Sequence, residues 1–251
     1  MFVPSHYNAQ RAWPILYILD PGARGKSAVE IFAKAAEAEG FVVVGSNKSR
    51  NGPNEPNYLA IKEMMEDTHK RYNVDDSRIY FAGFSGGSQL ALDWALHSPV
   101  AGVIACGASF LLDAAPKQIG FALYAVAGED DFNYDEILGL SLELARRGKP
   151  HRFATFAGGH EWLPKPLALE ALRFFDGKIG PKAAVDSKQE RQEMARYREL
   201  AERFEAARGP AKDRVFEEFR RQAAAIENSP ERRNARRMLG VARMKGYEPR
   251  R

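Results

Sequence analysis

Six short apolar runs, at residues 14–19, 41–45, 79–82, 102–106, 121–127 and 151–156, punctuate the first 180 positions, and helical patterns at 27–39, 58–72, 88–97, 135–147 and 164–176 fill the intervals between them. Runs such as Phe41-Val42-Val43-Val44 are continuously apolar rather than alternating. That requires burial on both faces, as in a parallel sheet covered by helices on each side. The order of elements therefore predicts an α/β fold with a mostly parallel sheet. The first helix carries a capping box, Ser27-Ala28-Val29-Glu30, and a stop at Gly40, which predict its limits.

The pattern changes after about residue 180. Residues 1–180 carry 18 Lys and Arg against 21 Asp and Glu, net −3, whereas 181–251 carry 19 against 12, net +7, which together make the +4 of the chain. Met194, Tyr197, Leu200 and Phe204 recur at three- and four-residue steps, and start signals stand at Asp186 or Ser187, at Pro210 and at Ser229-Pro230. The division predicted is an α/β domain over 1–180 and a basic extension of two or three helices over 181–251. The extension's apolar face is expected to pack on the first unit or on a second copy of the chain, making a homodimer. Arg232, Arg233, Arg236 and Arg237 form a basic cluster, but no aromatic residues interleave with it, so no nucleic-acid partner is expected. As a partner-binding helical array the segment is short, since such arrays need about three or more repeats.

At 251 residues, 45% of them hydrophobic, the chain can bury one sizeable core. No apolar run approaches the roughly 20 residues needed to cross a membrane, and the N-terminus lacks the apolar core of a signal peptide. A soluble protein is expected, its compartment left open between cytoplasm and periplasm or secretion. With Cys106 as the single cysteine, no intramolecular disulfide forms, and its place at the end of Val103-Ile104-Ala105 predicts a buried packing residue.

The chemistry concentrates at the ends of three apolar runs. Arg78-Ile79-Tyr80-Phe81-Ala82 leads into Gly83-Phe84-Ser85-Gly86-Gly87, which leads into the helical pattern from Ser88. A G-x-S-x-G sequence between strand and helix is the form of a nucleophile elbow, in which a strained turn projects the serine hydroxyl and glycines on either side avoid clashes. The run 121–127 empties into Gly128-Glu129-Asp130-Asp131-Phe132-Asn133, and 151–156 into Ala157-Gly158-Gly159-His160-Glu161-Trp162. Open α/β sheets place their sites at these C-terminal strand ends. Ser85 is the candidate nucleophile, His160 the candidate base, and Asp130 and Asp131 the candidate acids. The backbone N–H of Gly86, directly after the nucleophile, is a candidate oxyanion donor. His6, His69, His97 and His151 stand at no comparable position. No His, Cys and carboxylate spacing resembles a metal site, so neither metal nor other cofactor is expected.

The segments Phe2-Val3-Pro4-Ser5-His6-Tyr7, Leu19-Asp20-Pro21-Gly22, Val74-Asp75-Asp76-Ser77-Arg78-Ile79-Tyr80, Gly83 to Ser88 and Gly158-Gly159-His160 resemble the α/β-hydrolase superfamily. Within it they look most like the dienelactone-hydrolase-like and polyhydroxybutyrate-depolymerase or feruloyl-esterase-like esterases, over about residues 1–180. The resemblance implies an α/β-hydrolase fold and cleavage of short-chain or aryl carboxylic esters through an acyl-enzyme on a Ser-Asp-His triad. It also implies that the fold's usual outermost strand is missing here, so that Met1 would mark a trimmed sequence. It selects Asp131, three positions after Gly128, as the acid. It places the second oxyanion donor at Gly22, with Ala23 as alternative, in the loop where the family carries a histidine-glycine pair. Here that pair is Asp20-Pro21, and proline has no N–H to donate. Phe84, Phe110, Phe132 and Trp162 adjoin these loops and could line a substrate pocket or belong to the core; Asn47, Arg50 and Asn51 could hold a polar end of the substrate. The other reading of the chain is a non-catalytic scaffold of the same fold whose helical tail binds a protein partner.

Overall fold

All six apolar runs are strands of one sheet. The computed structural model describes residues 1–110, 119–184, 187–225 and 228–247. Strands β1 (Trp13–Leu19), β2 (Val42–Gly45), β3 (Val74–Phe84), β4 (Gly102–Cys106), β5 (Ala122–Gly128) and β6 (His151–Phe156) are all parallel, in the order β2-β1-β3-β4-β5-β6. The chain leaves β1 toward one edge and returns to β3 on β1's other side, so the crevice above the C-terminal ends of β1 and β3 is the topological switch point. Ser85 follows β3 directly and Asp20 follows β1 directly.

Both faces of the sheet are covered, which explains why the strands are apolar without alternation. Helices α1 (Gly25–Glu39) and α5 (Lys165–Phe175) close one face, where Leu16 and Ile18 of β1 meet Phe32 and Leu172. Helices α2 (Asn54–Arg71), α3 (Gly86–His97) and α4 (Tyr134–Arg146) close the other, where Ile15 and Tyr17 belong to one cluster with Ile61, Leu92 and Ile137.

Several limits differ from the sequence expectation, among them the start of α2, at Asn54 rather than 58. Helix α1 ends at Gly40 as expected, but it starts at Gly25 with Arg24 at the cap and no side-chain capping bond, so Ser27 lies inside the first turn. The turn is set by tertiary contact: Gly25 approaches the backbone of Gly45 and Ser46 so closely that a Cβ there would lie 2.5 Å from the Ser46 carbonyl oxygen. Strand β3 extends back to Val74 because Val74 pairs with Trp13 across a register shift.

Beyond β6 and α5 the chain first runs beside the sheet edge, the Phe153 N–H donating to Lys182 O (2.6 Å) and the Lys182 N–H to His151 O (2.9 Å). Three helices follow: α6 (Lys188–Ala206), α7 (Gly209–Ala223) and α8 (Pro230–Met244). Ser187 and Ser229 cap α6 and α8 through their side chains, and Pro210 sits in the first turn of α7. Asp186, the alternative start signal, lies outside the described residues. Tyr197, Phe204, Phe216, Phe219 and Met238 form a separate small core among these helices, while Met194 joins the main cluster. The basic cluster is largely spent inside the molecule: Arg233 and Arg237 pair with Glu193, and Arg236 with Asp130. Among the described residues no helix is long and apolar enough to cross a membrane.

Candidate active site

Ser85 sits between β3 and α3 with φ 52° and ψ −126°, a left-handed backbone conformation that costs a non-glycine residue energy and is held by its surroundings. The turn is closed tightly. A Cβ on Gly83 would lie 2.0 Å from the Gly87 carbonyl oxygen, and one on Gly87 would lie 2.1 Å from that of Leu19, so both flanking positions need glycine. The Ser85 N–H donates to Cys106 O (2.9 Å), tying the elbow to β4. Gly86 opens α3, where first-turn N–H groups lack intrahelical acceptors and the helix dipole is positive.

The histidine loop after β6 and the acid loop after β5 converge on this hydroxyl. Ser85 Oγ lies 2.8 Å from His160 Nε2, and His160 Nδ1 lies 2.9 Å from Asp131 Oδ1. With Nδ1–H donating to the carboxylate, Nε2 is left to accept from the serine. Asp131 is fully buried; its Oδ1 also accepts from the Asn133 N–H (2.8 Å), and its Oδ2 has no hydrogen-bond partner among the described residues. Asp130 faces the other way, its Oδ2 2.5 Å from Arg236 Nη1. The rings of Phe84 and Phe132 flank the imidazole with centroids 4.6 and 4.2 Å away.

Asp20, buried at the end of β1, is a hub that sequence reasoning missed. Its carboxylate accepts from the Gly22 N–H (2.8 Å), from Arg24 Nε and Nη2 (2.9 and 3.2 Å) and from Trp162 Nε1 (2.9 Å). Burial works against its charge, but these donors outweigh that and hold its pKa below the usual carboxylate range. The Gly22 N–H is thereby engaged, and the Ala23 N–H donates to Asp20 O (3.1 Å), so in this structure neither loop N–H is directed at the serine. The available signal was the departure from the family pattern, an acidic residue in the place of a histidine.

One cavity reaches Ser85 and another reaches His160. One, of about 620 Å³, is bordered by Ser85, Gly86, Arg50, Asn51, Leu90 and Phe110. The other, of about 850 Å³, lies beyond His160 against α8 and is bordered by Phe132, Gly159, Arg232, Leu239 and Arg243. Met244 of α8 borders both. Phe132, Phe110, Arg50 and Asn51 thus stand at cavity walls. Phe84 does not, being buried beneath His160 with its ring also against Trp162, and Trp162 is turned to Asp20; Asn47 borders neither cavity. Cys106 is buried, and burial pushes its thiol pKa up. Among the described residues no group of three or more His, Cys, Asp or Glu is placed to hold a metal ion.

The acid loop also receives contacts that nothing in the local sequence announces. Arg237, 1% exposed, donates to the Glu129 carbonyl, and Tyr197 to the Phe132 carbonyl.

No family model matches the sequence, and no curated protein does. Solved structures match it in three dimensions. A ferulic acid esterase superposes with a TM-score of 0.54 at 18% identity, over 68% of this chain and 88% of that one. An esterase of Pyrobaculum calidifontis gives 0.56 at 14%, over 67% and 78%. The S-formylglutathione hydrolase FrmB of Staphylococcus aureus gives 0.51 at 17%, over 69% and 83%. The parallel six-stranded sheet and these likenesses define the class: this chain has the α/β-hydrolase fold.

Proposed function

We propose that the protein is a serine hydrolase that cleaves carboxylic esters, with Ser85 as nucleophile, His160 as general base and then general acid, and Asp131 as the carboxylate that orients the imidazole. The observation that carries this reading is the hydrogen-bonded series Ser85 Oγ, His160, Asp131, at 2.8 and 2.9 Å, built on a strained strand-to-helix turn. His160 takes the serine proton as Oγ attacks the ester carbonyl, then returns a proton to the departing alcohol oxygen, and water releases the acid from the acyl-enzyme. Because His160 delivers the proton to the leaving oxygen, the cavity beyond it takes the alcohol half of the ester and the cavity on the Ser85 side takes the acyl half. Gly86 N–H supplies one oxyanion donor. The second is Gly22 N–H, which exchanges its bond to Asp20 for the developing oxyanion as substrate binds.

The test is a panel of p-nitrophenyl esters of rising acyl length together with a fluorophosphonate probe, run on the wild type and on Ser85→Ala. Hydrolysis and labelling by the wild type, both lost in Ser85→Ala, are expected. A folded wild type that neither turns over an ester nor takes the probe would refute the reading.

A further inference from the structure

Among the described residues the hydrogen bonds to the Asp131 carboxylate fall on Oδ1, from the Asn133 N–H and His160 Nδ1, so the position of the carboxylate depends on how firmly its backbone is held. The loop's N–H groups are secured within the α/β unit: Glu129 N–H donates to Phe156 O (2.9 Å), Asp130 N–H to Gly158 O (2.8 Å) and Asp131 N–H to Gly128 O (3.0 Å). Two carbonyls bracketing Asp131 are secured from elsewhere. Glu129 O accepts Nε and Nη2 of Arg237 (2.9 and 2.6 Å), and Phe132 O accepts the hydroxyl of Tyr197 (3.0 Å).

Both donors come from the basic helical extension, and both are fixed in advance. The Arg237 guanidinium lies 4.3 Å over the Tyr134 ring and is held by Asn234 Oδ1 (3.0 Å) and Glu193 (3.2 Å). Tyr197 is a wall of the extension's own core, and burial pushes its phenol up to about 12, so it remains a donor at neutral pH. Alongside them Arg236 pairs with Asp130, and Gly240 lies against the Phe132 ring that in turn packs on His160.

We infer that the extension is part of the catalytic machinery: Arg237 and Tyr197 are positioning residues that grip the backbone on either side of Asp131 and so hold His160 in register with Ser85. This rests on the serine-hydrolase reading, and it assigns to α6–α8 a role at the reacting groups although neither side chain touches substrate.

Tyr197→Phe removes one hydroxyl from a retained ring, Arg237→Lys keeps the charge but not the two-pronged donor, and Arg237→Met keeps the volume with no donor at all. Each full-length variant is compared with Phe219→Leu, which loosens the same small core away from the loop. Expected is a fall in kcat of about tenfold for Tyr197→Phe, the scale of one lost hydrogen bond expressed in the transition state, with KM unchanged. The loss should be larger for Arg237→Met than for Arg237→Lys. The acid limb of the pH profile should move to lower pH, because a looser carboxylate stabilises the imidazolium less, and the low-field proton resonance of the His160–Asp131 bond should weaken. Phe219→Leu should lower the melting temperature and leave all of these unchanged. Folded Tyr197→Phe and Arg237→Met variants with wild-type kcat, pH profile and low-field resonance would overturn the inference. If the wild type hydrolyses no ester and takes no fluorophosphonate, the hydrolase reading fails, and the resonance in the same variants still decides whether the grip positions the pair.

Discussion

Asp130 and Asp131 are neighbours in the chain and face opposite partners: Asp131 Oδ1 stands 2.9 Å from His160 Nδ1, and Asp130 Oδ2 stands 2.5 Å from Arg236 Nη1. One carboxylate meets the imidazole and the other meets α8.

Asparagine at each position separates the two. Asp131→Asn keeps the shape but can present an N–H₂ group to His160 and disfavours the productive tautomer, a change that costs a serine triad about 10⁴ in turnover. Asp130→Asn removes one partly exposed ion pair, so a loss of no more than a few-fold is expected. Steady-state rates on a p-nitrophenyl ester decide it; a reversed ranking would move the acid to Asp130.

Gly240 of α8 packs against the Phe132 ring. A Cβ there would lie 2.6 Å from Phe132 Cδ1, and that ring is backed by the imidazole 4.2 Å away. Gly240→Ala is expected to press Phe132 toward His160 or to lift α8, costing about 1–3 kcal/mol of stability and lowering kcat. Thermal melts paired with kinetics test this, and unchanged values of both would show that the contact relaxes freely.

The charge on Asp20 is favoured in the folded chain, so the unfolded chain takes up that proton at a higher pH than the folded one does. Its contribution is therefore complete above the ordinary carboxylate pKa and is lost as pH falls through the lower folded value. Asp20→Asn is expected to be less stable than the wild type by about 1–2 kcal/mol at pH 7, with the gap narrowing in acid. Urea denaturation at neutral and strongly acidic pH measures it; a gap that widened in acid would contradict the assignment.

Cys106 is fully buried at the end of β4, and burial pushes its thiol up. The native protein is expected to react with a disulfide reagent such as DTNB only on unfolding. Rapid stoichiometric reaction of the folded chain would mean that β4 opens locally.

Much of this molecule is written in short-range pattern. Continuously apolar runs demanded a sheet covered on both faces, and the strands fall where the runs do. Ser187, Pro210 and Ser229 marked the tail helices because capping and proline geometry act within one turn. G-x-S-x-G could be recognised because the close approach of Gly83 to the Gly87 backbone is itself a local requirement. Tertiary structure decided the rest. It put the Trp162 Nε1–H on Asp20, buried Phe84 under His160, and started α1 at Gly25 rather than at its capping box. It also took a basic cluster that reads as a solvated surface and set Arg237 on a carbonyl 108 positions away, and Tyr197 on one 65 positions away. Periodicity reports which face of a helix is apolar, but not which carbonyl that face will meet. That is set by how the tail helices pack on the α/β unit, where a buried arginine is tolerated because Glu193, Tyr134 and the acid loop receive it.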